Sequence, residues 1–515
     1  MALTRRSTLA AMFSYGIALA DAWPAAADTA PHGSPLALGS PRPFSFDQLK
    51  LQARARAAHP YAPPASPVGV MDHDAIGQIA YRPDAALWKD QSGDTSIRFF
   101  HLGRVAPTPV AMHVLNQGWA RPVLYSETLF EDLAPASAPK PSTGAGFGGF
   151  RVMNVDRRTD WIAYLGASYF RSADPFNQYG LSARGVAIDT ATSVPEEFPG
   201  FVAFWLERDL ASDLIVYALL DGPRVAGAYR IAHRRSAAGL VQDVQVQLSF
   251  RAPVERLGLA PLTSMYWYGQ TDRAPTNDWR PQIHDSDGLS IWTGAGERIW
   301  RPLNNPPRVM TNLFLDKGPR GFGLMQRDRR FEDYQDDGLF YDRRPSAWVE
   351  PIGDWGAGSV QLVEIPTSGE NDDNIVAFWT PQAPVSAGQV LTYQYRLHWT
   401  AEEPGGVGVA KVVATRSGQG GRPGQPGPPG RRRFVIDFEG PGLADLTREN
   451  GAEAVVEARP GHPVDPACYP VAGADRWRLM FDLDLATAAT VDLRAYLRRG
   501  ATVLTETWIH QVFST

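Results

Sequence analysis

From about Ile97 onward the chain runs in short segments whose apolar and polar residues alternate, cut by clusters of Gly, Pro, Asn and Asp. A period of two is the mark of a strand with one buried face. Val244, Val246, Leu248 and Phe250 alternate with polar neighbours, as do Leu391, Tyr393, Tyr395, Leu397 and Trp399. The expected fold class is therefore all-β. One segment departs from it: Phe46, Leu49, Ala53 and Ala57 form a single helical stripe closed by His59-Pro60, which predicts a short packing helix. A lone Cys468 cannot form an intrachain disulfide, so burial of apolar side chains has to stabilise the fold. With 44% hydrophobic and 11% aromatic residues, the chain has the material for it.

Strand-like runs near the C-terminus lie at 390–399, 407–415, 433–438, 453–458, 477–485, 490–498 and 502–512. About seven short strands at this spacing suit an immunoglobulin-like sandwich. The low-complexity stretch Ser417 to Gly430 has strands on both sides, so it reads as a flexible loop within one domain rather than a linker. The boundary is placed near Pro381 to Gly388. This predicts a large N-terminal β-sandwich over 28–385 and an immunoglobulin-like sandwich over 386–515.

Residues 1–27 read as an address. Arg5-Arg6 precede a weakly apolar run from Leu9 to Ala20, and Ala25 and Ala27 offer a cleavage site before Asp28, the order of a twin-arginine export signal. The run is too short to span a bilayer, and no later apolar stretch approaches the roughly 18 residues a spanning helix needs. The expectation is a folded protein exported to the periplasm and soluble there.

Charge narrows the partners. With 55 acidic and 50 basic side chains and a net charge of −5, the chain lacks the concentrated cationic face that phosphate binding requires, so nucleic acid is not an expected partner. The ten histidines are scattered singly, with no His-Glu-x-x-His pair and no Cys pair, so neither a metal nor another cofactor is expected. Neither a Gly-x-Ser-x-Gly elbow nor a phosphate-binding Gly-rich loop is present, which argues against serine hydrolases and nucleotide enzymes.

Aromatic and acidic residues concentrate between Met265 and Trp379, among them Trp267, Trp279, Trp300, Trp348 and Trp355 with Asp278, Asp285, Asp287, Asp328 and Glu370. That mixture suits a carbohydrate cleft, where aromatic faces meet sugar C–H faces and carboxylates accept from hydroxyls. It also suits a tryptophan-rich core with solvated acidic loops. Two stretches stand out: His284-Asp285-Ser286-Asp287-Gly288, and Gly369-Glu370-Asn371-Asp372-Asp373-Asn374. Glycoside hydrolysis commonly uses one carboxylic acid to protonate the leaving oxygen and a carboxylate to activate water, and the two stretches offer such a pair. Asp and Asn are equally the ordinary residues of turns. Asp328, flanked by Arg327 and Arg329, is expected to be an ion-paired structural carboxylate.

Longer segments carry a resemblance. Phe99 to Gly103, Leu165 to Arg171, Tyr179 to Gly185, Ala260 to Met265, His284 to Gly288, Trp300 to Pro306, Arg344 to Pro351 and Asn374 to Trp379 resemble the periplasmic glucan biosynthesis proteins of the MdoG/OpgG and OpgD family. The twin-arginine signal makes the chain more similar to the D branch. The resemblance implies a large β-sandwich followed by an immunoglobulin-like domain, and a role in osmoregulated periplasmic glucans with a β-1,2-linked backbone. For family members that are inverting endo-β-1,2-glucanases, it puts the general acid at Asp373 and the base, reached through a proton relay, at Asp285. Asn371 and Asp372 depart from the more usual Glu-Thr-Asn-Asp-Asn loop, which leaves Asp372 as an alternative acid. Glu370 and Tyr341 are implied as substrate or relay contacts, and Asp287, Trp300, Arg301, Trp348 and Trp355 complete the expected substrate-binding set. Some relatives use the same site to close β-1,2-glucan into a ring through an α-1,6 bond, and a non-catalytic glucan-binding scaffold is the third reading. Expected partners are a β-1,2-linked glucan, a membrane glucan synthase and a second copy of the chain.

Overall fold

The computed structural model describes residues 36–64, 79–89, 95–103, 106–132, 146–209, 213–271, 277–406, 408–422, 424–448, 451–485 and 490–513. The export-signal reading of 1–27 lies outside them. The described chain is nearly all strand, as the alternation predicts. The helix forms at Phe46–Ala57, where the Ser45 hydroxyl caps the first turn by accepting from the Gln48 amide at 3.2 Å, and Leu49 and Ala53 face inward. Among the described residues no helix is long and apolar enough to cross a membrane.

Two sheets form the body of the molecule. In the first, Ala111–Asn116 runs parallel to Gly200–Glu207, and antiparallel pairing then continues through Leu214–Asp221, Val225–Ser236 and Gly239–Phe250. The second has the order Met310–Lys317, Ala357–Glu364, Ile375–Pro381, Leu257–Ser264, Ser182–Arg184, Tyr169–Ser172, Asp160–Leu165, Phe147–Met153, Ile97–His101. Their inner faces share one core in which Phe204, Ile231 and Val244 from the first sheet lie with Phe150, Tyr164 and Leu262 from the second. Packing two inner faces in this way makes a sandwich.

The strand Val390–Thr400 corrects the expected strand list. It is not the first strand of the C-terminal sandwich but pairs with Gly239–Phe250 on one side and Ser346–Ile352 on the other. Its Tyr395, Leu397 and Trp399 are buried in the core of the large sandwich, so the alternating face packs there and not in the C-terminal sandwich. Beyond it, Lys411–Gln419, Arg431–Glu439, Trp477–Asp484 and Pro463–Pro470 form a four-stranded sheet. Glu453–Arg459, Thr490–Arg499 and Thr507–Phe513 pair with one another, and both groups contribute to a second core around Phe434, Phe481, Leu493 and Trp508. The Pro463–Pro470 strand is absent from the sequence-based list because its prolines argue against a strand. It is an edge strand, paired on one side only, where a missing N–H is tolerated. The Ser417 to Gly430 stretch is also more ordered than a flexible loop: Lys411–Gln419 continues to pair through Gln419, and Gly421–Arg422 pairs with Gln425–Pro426.

The two cores meet at a seam. Thr507–Phe513 runs parallel to Arg298–Pro302, pairing Trp508 with Trp300, and Trp300, Met325 and Trp348 belong to the second core. Arg327 crosses the seam to Glu403 and Glu506, each at 2.8 Å.

Candidate functional site

The two acidic stretches, far apart in sequence, are fastened together through one backbone segment. Asn374 is buried; its Oδ1 accepts from the Tyr266 amide at 2.8 Å, and its Nδ2 donates to the Tyr266 and Ile365 carbonyls, both at 2.9 Å. Tyr266 pairs with His284, and the Asp285 amide donates to the Met265 carbonyl at 2.8 Å. The loop of Glu370 to Asp373 and the turn carrying Asp285 are thus anchored to adjacent residues, Met265 and Tyr266.

Arg344 sits at the centre. It is buried, it ion-pairs with Asp285, and its guanidinium lies 3.8 Å from the centroid of the Tyr341 ring. A Cβ at Gly180 would lie 2.9 Å from the Arg344 Cβ, so the glycine there makes room for the arginine stem. The Tyr341 hydroxyl donates to Glu370 at 2.5 Å, and Glu370 also accepts from Arg280 at 2.8 and 3.2 Å. Arg280 in turn holds Asp278 at 2.8 Å and Asp336 at 2.9 Å. Phe340, immediately before Tyr341, adopts φ 49°, a left-handed conformation that costs a bulky residue roughly 1–2 kcal/mol. Strain of this kind tends to collect at functional sites.

The electrostatics follow from burying this many charges together. Burial pushes Arg344 down to about 9, opposed by the charges of Glu370 and Asp373. Burial likewise pushes Arg171 down to about 9, opposed by Tyr179 and Asp373. Asp373, half-buried, therefore acts on both guanidiniums. Burial pulls Arg280 down, but its bonds to Asp278, Glu370 and Asp336 outweigh that and hold it far above its ordinary range. Burial, then the charge of Glu370, keeps the Tyr341 hydroxyl protonated. Asp372 accepts from the Thr367 hydroxyl at 3.2 Å.

Of the expected residues, then, Asp285, Tyr341, Glu370 and Asp373 come together. The others lie elsewhere. Trp300 and Trp348 are buried in the second core, the former with the Arg327 guanidinium 3.7 Å from its ring centroid. Arg301 is buried in an ion pair with Glu364 at 2.9 Å. Trp355 packs on Trp379, Tyr393 and Tyr395 and donates to the Gln394 carbonyl at 3.1 Å. All four side chains are nearly inaccessible and contribute to packing, and Trp300 also lines a small cavity beside Asp287 and Asp328. Arg344, Arg280, Arg171 and Asp336 carry the site without having been assigned a role from sequence. Arg344 opens, and Arg171 closes, a segment that carries the family resemblance, which is the signal the sequence offers for them.

Asp287 points away from Asp285, toward the seam. Its Oδ2 accepts from the Arg327 and Asp328 amides at 2.8 and 2.9 Å, and Asp328 accepts from Gln270 and Gln282 at 2.8 and 3.1 Å. Asp328 is not the ion-paired carboxylate its neighbours suggest, because Arg327 turns to Glu403 and Glu506 and Arg329 to the Arg344 carbonyl and Ser346. Burial raises Asp287 to about 6; burial, then the charge of Asp287, raises Asp328 to about 7. Both lie above the ordinary 3.8, so the folded state binds extra protons in between; that contribution is complete below 3.8 and lost as pH rises through about 7. The melting temperature should therefore drop from pH ~5 to pH ~8, and by about 2 °C less in Asp328→Asn. Identical drops in thermal scans of the two proteins would remove the pair from the pH response.

A profile of the family described as "Periplasmic glucan biosynthesis protein, MdoG" matches residues 44–512. The chain belongs to this family. It is 45% identical over 493 residues to glucans biosynthesis protein D 2 of Ralstonia nicotianae, covering 92% of this chain and 91% of the relative. It is 48% identical over 488 residues to glucans biosynthesis protein D of Stenotrophomonas maltophilia, covering 92% and 90%. The Xanthomonas campestris pv. campestris protein of the same name is 46% identical over 489 residues, covering 92% and 91%. Membership places the chain in glucan biosynthesis and in the periplasm.

Proposed function

We propose that the protein acts on a β-1,2-linked glucan backbone by inverting acid/base chemistry. Asp373 donates a proton to the departing glycosidic oxygen, and Asp285 takes up the proton of the attacking hydroxyl through a relay. The observation that carries the reading is the convergence of Asp285, Tyr341, Glu370 and Asp373 around Arg344. In this scheme the Arg344 guanidinium pairs with and orients the Asp285 carboxylate, and Tyr341, whose ring faces the same guanidinium, bonds to Glu370 through its hydroxyl. Asp373 needs a proton, in the neighbourhood of Arg171 and Arg344. A sugar ring seated between the carboxyl and the two guanidiniums would desolvate the acid and separate it from those charges.

The test is product analysis after incubation with linear β-1,2-glucan. Short oligomers with an α-configured new reducing end are expected, since displacement at a β-linkage with inversion gives an α product. Rings closed by an α-1,6 bond would move the reading to transfer, with a sugar hydroxyl replacing water at the same two carboxylates. Unchanged glucan would leave a binding scaffold. Export is proposed to use the twin-arginine route: with Arg5→Lys and Arg6→Lys together, the protein should disappear from the periplasmic fraction, and undiminished periplasmic protein would rule that route out.

A further inference from the structure

Trp279 differs in exposure from most tryptophans of the Met265 to Trp379 stretch. It is 68% exposed, whereas Trp300, Trp348, Trp355 and Trp379 are all nearly inaccessible. An exposed indole forgoes the burial of a large apolar surface, and its position here is held rather than incidental. On one side the Asp278 carboxylate accepts from the Arg280 amide at 3.0 Å; on the other the Tyr268 hydroxyl donates to the Arg280 carbonyl at 3.0 Å. The Arg280 side chain is fixed by Asp278, Asp336 and Glu370, and its guanidinium carbon lies 5.9 Å from the Trp279 ring centroid. The backbone of Arg280, which follows the indole, is thus held at both its amide and its carbonyl, and the indole neighbours the ionic cluster that includes Glu370.

We propose that Trp279 is a stacking platform for a glucosyl unit lying outside the acid/base centre, with Arg280 and its carboxylates meeting the hydroxyls at that ring's rim. The inference rests on the glucan reading above and adds a binding position to it. A pyranose presents an apolar C–H face bounded by hydroxyls. A flat exposed aromatic beside ordered carboxylates and a guanidinium is complementary to both parts. The arrangement also favours a sugar over an apolar protein partner, because the surroundings of the indole are ionic.

The experiment measures binding of linear β-1,2-glucan by calorimetry to the full chain carrying Asp373→Asn, so that turnover does not intervene. Adding Trp279→Ala should weaken binding about tenfold, the equivalent of about 1.4 kcal/mol. Trp279→Phe should restore most of it, because the aromatic face is kept. Trp119→Ala, at another indole, 53% exposed on Trp119–Leu124, should bind as the parent does. In the chain with Asp373 intact, the penalty of Trp279→Ala should fall mainly on KM, with kcat reduced less than threefold. Equal binding by Trp279→Ala and its parent overturns the platform and leaves the glucan reading standing. Absence of any binding by the parent overturns both.

Discussion

Asp373→Asn should cut turnover of linear β-1,2-glucan by about a hundredfold or more while leaving folding and glucan binding intact. Asparagine keeps the shape of the side chain and can accept a hydrogen bond, but it cannot donate a proton to a departing oxygen. Asp285→Asn should produce a loss of similar size for the reciprocal reason, since its amide cannot take one up. The two variants are separable by the leaving group. A substrate with an activated leaving group needs little protonation, so it should rescue Asp373→Asn and not Asp285→Asn. Retained activity in Asp373→Asn with loss in Asp372→Asn would move the acid by one residue. Asp372 is distinguished in the structure by its bond to Thr367, whereas the charge of Asp373 is felt by Arg171 and Arg344. Full activity in both variants would take the loop out of the mechanism.

How far the sequence reaches into this site depends on the kind of information required. Alternation along Leu391 to Trp399 specified a strand with one buried face, and the structure has one. It could not specify the partner, because period-two patterning is identical for either sandwich; the choice is made by an eleven-position register with Gly239–Phe250. Pro463–Pro470 was invisible for the opposite reason: local chemistry argued against a strand that only an edge position permits. The acids of the site were legible as types in a pattern and became specific through the family resemblance. The arginines were not legible. Arg280, Arg301, Arg327 and Arg344 look alike in sequence, yet one fastens the site's carboxylates, two make ion pairs away from it, and one holds Asp285. Tryptophan was misleading by abundance. Trp300, Trp348 and Trp355 pack into cores, while Trp279, with the same sequence signal, is exposed.

Replacing Arg344 should have the largest effect on stability of any change at the site. Arg344→Met retains a long apolar stem against Gly180 and Tyr341 but leaves the buried Asp285 carboxylate without its cation. Breaking a buried pair from one side costs roughly 3–5 kcal/mol, because the remaining charge stays desolvated and uncompensated. Urea unfolding should show a loss of that size. Turnover should fall by about a hundredfold as well, since a carboxyl that gains a proton to escape its burial can no longer act as a base. Arg344→Lys should recover only part of both: it keeps the charge, but an ammonium lacks the planar face that lies over Tyr341 and the fork that reaches Asp285. The double variant Arg344→Met with Asp285→Asn separates the two effects, because it removes the stranded charge. It should be more stable than Arg344→Met alone and no more active. If Arg344→Met unfolds at the parent's urea midpoint and turns over glucan at the parent's rate, the ion pair is not what organises the site. The convergence of the two acidic stretches would then rest on the Asn374 bonds to Tyr266 together with the Asp285 amide bond to Met265.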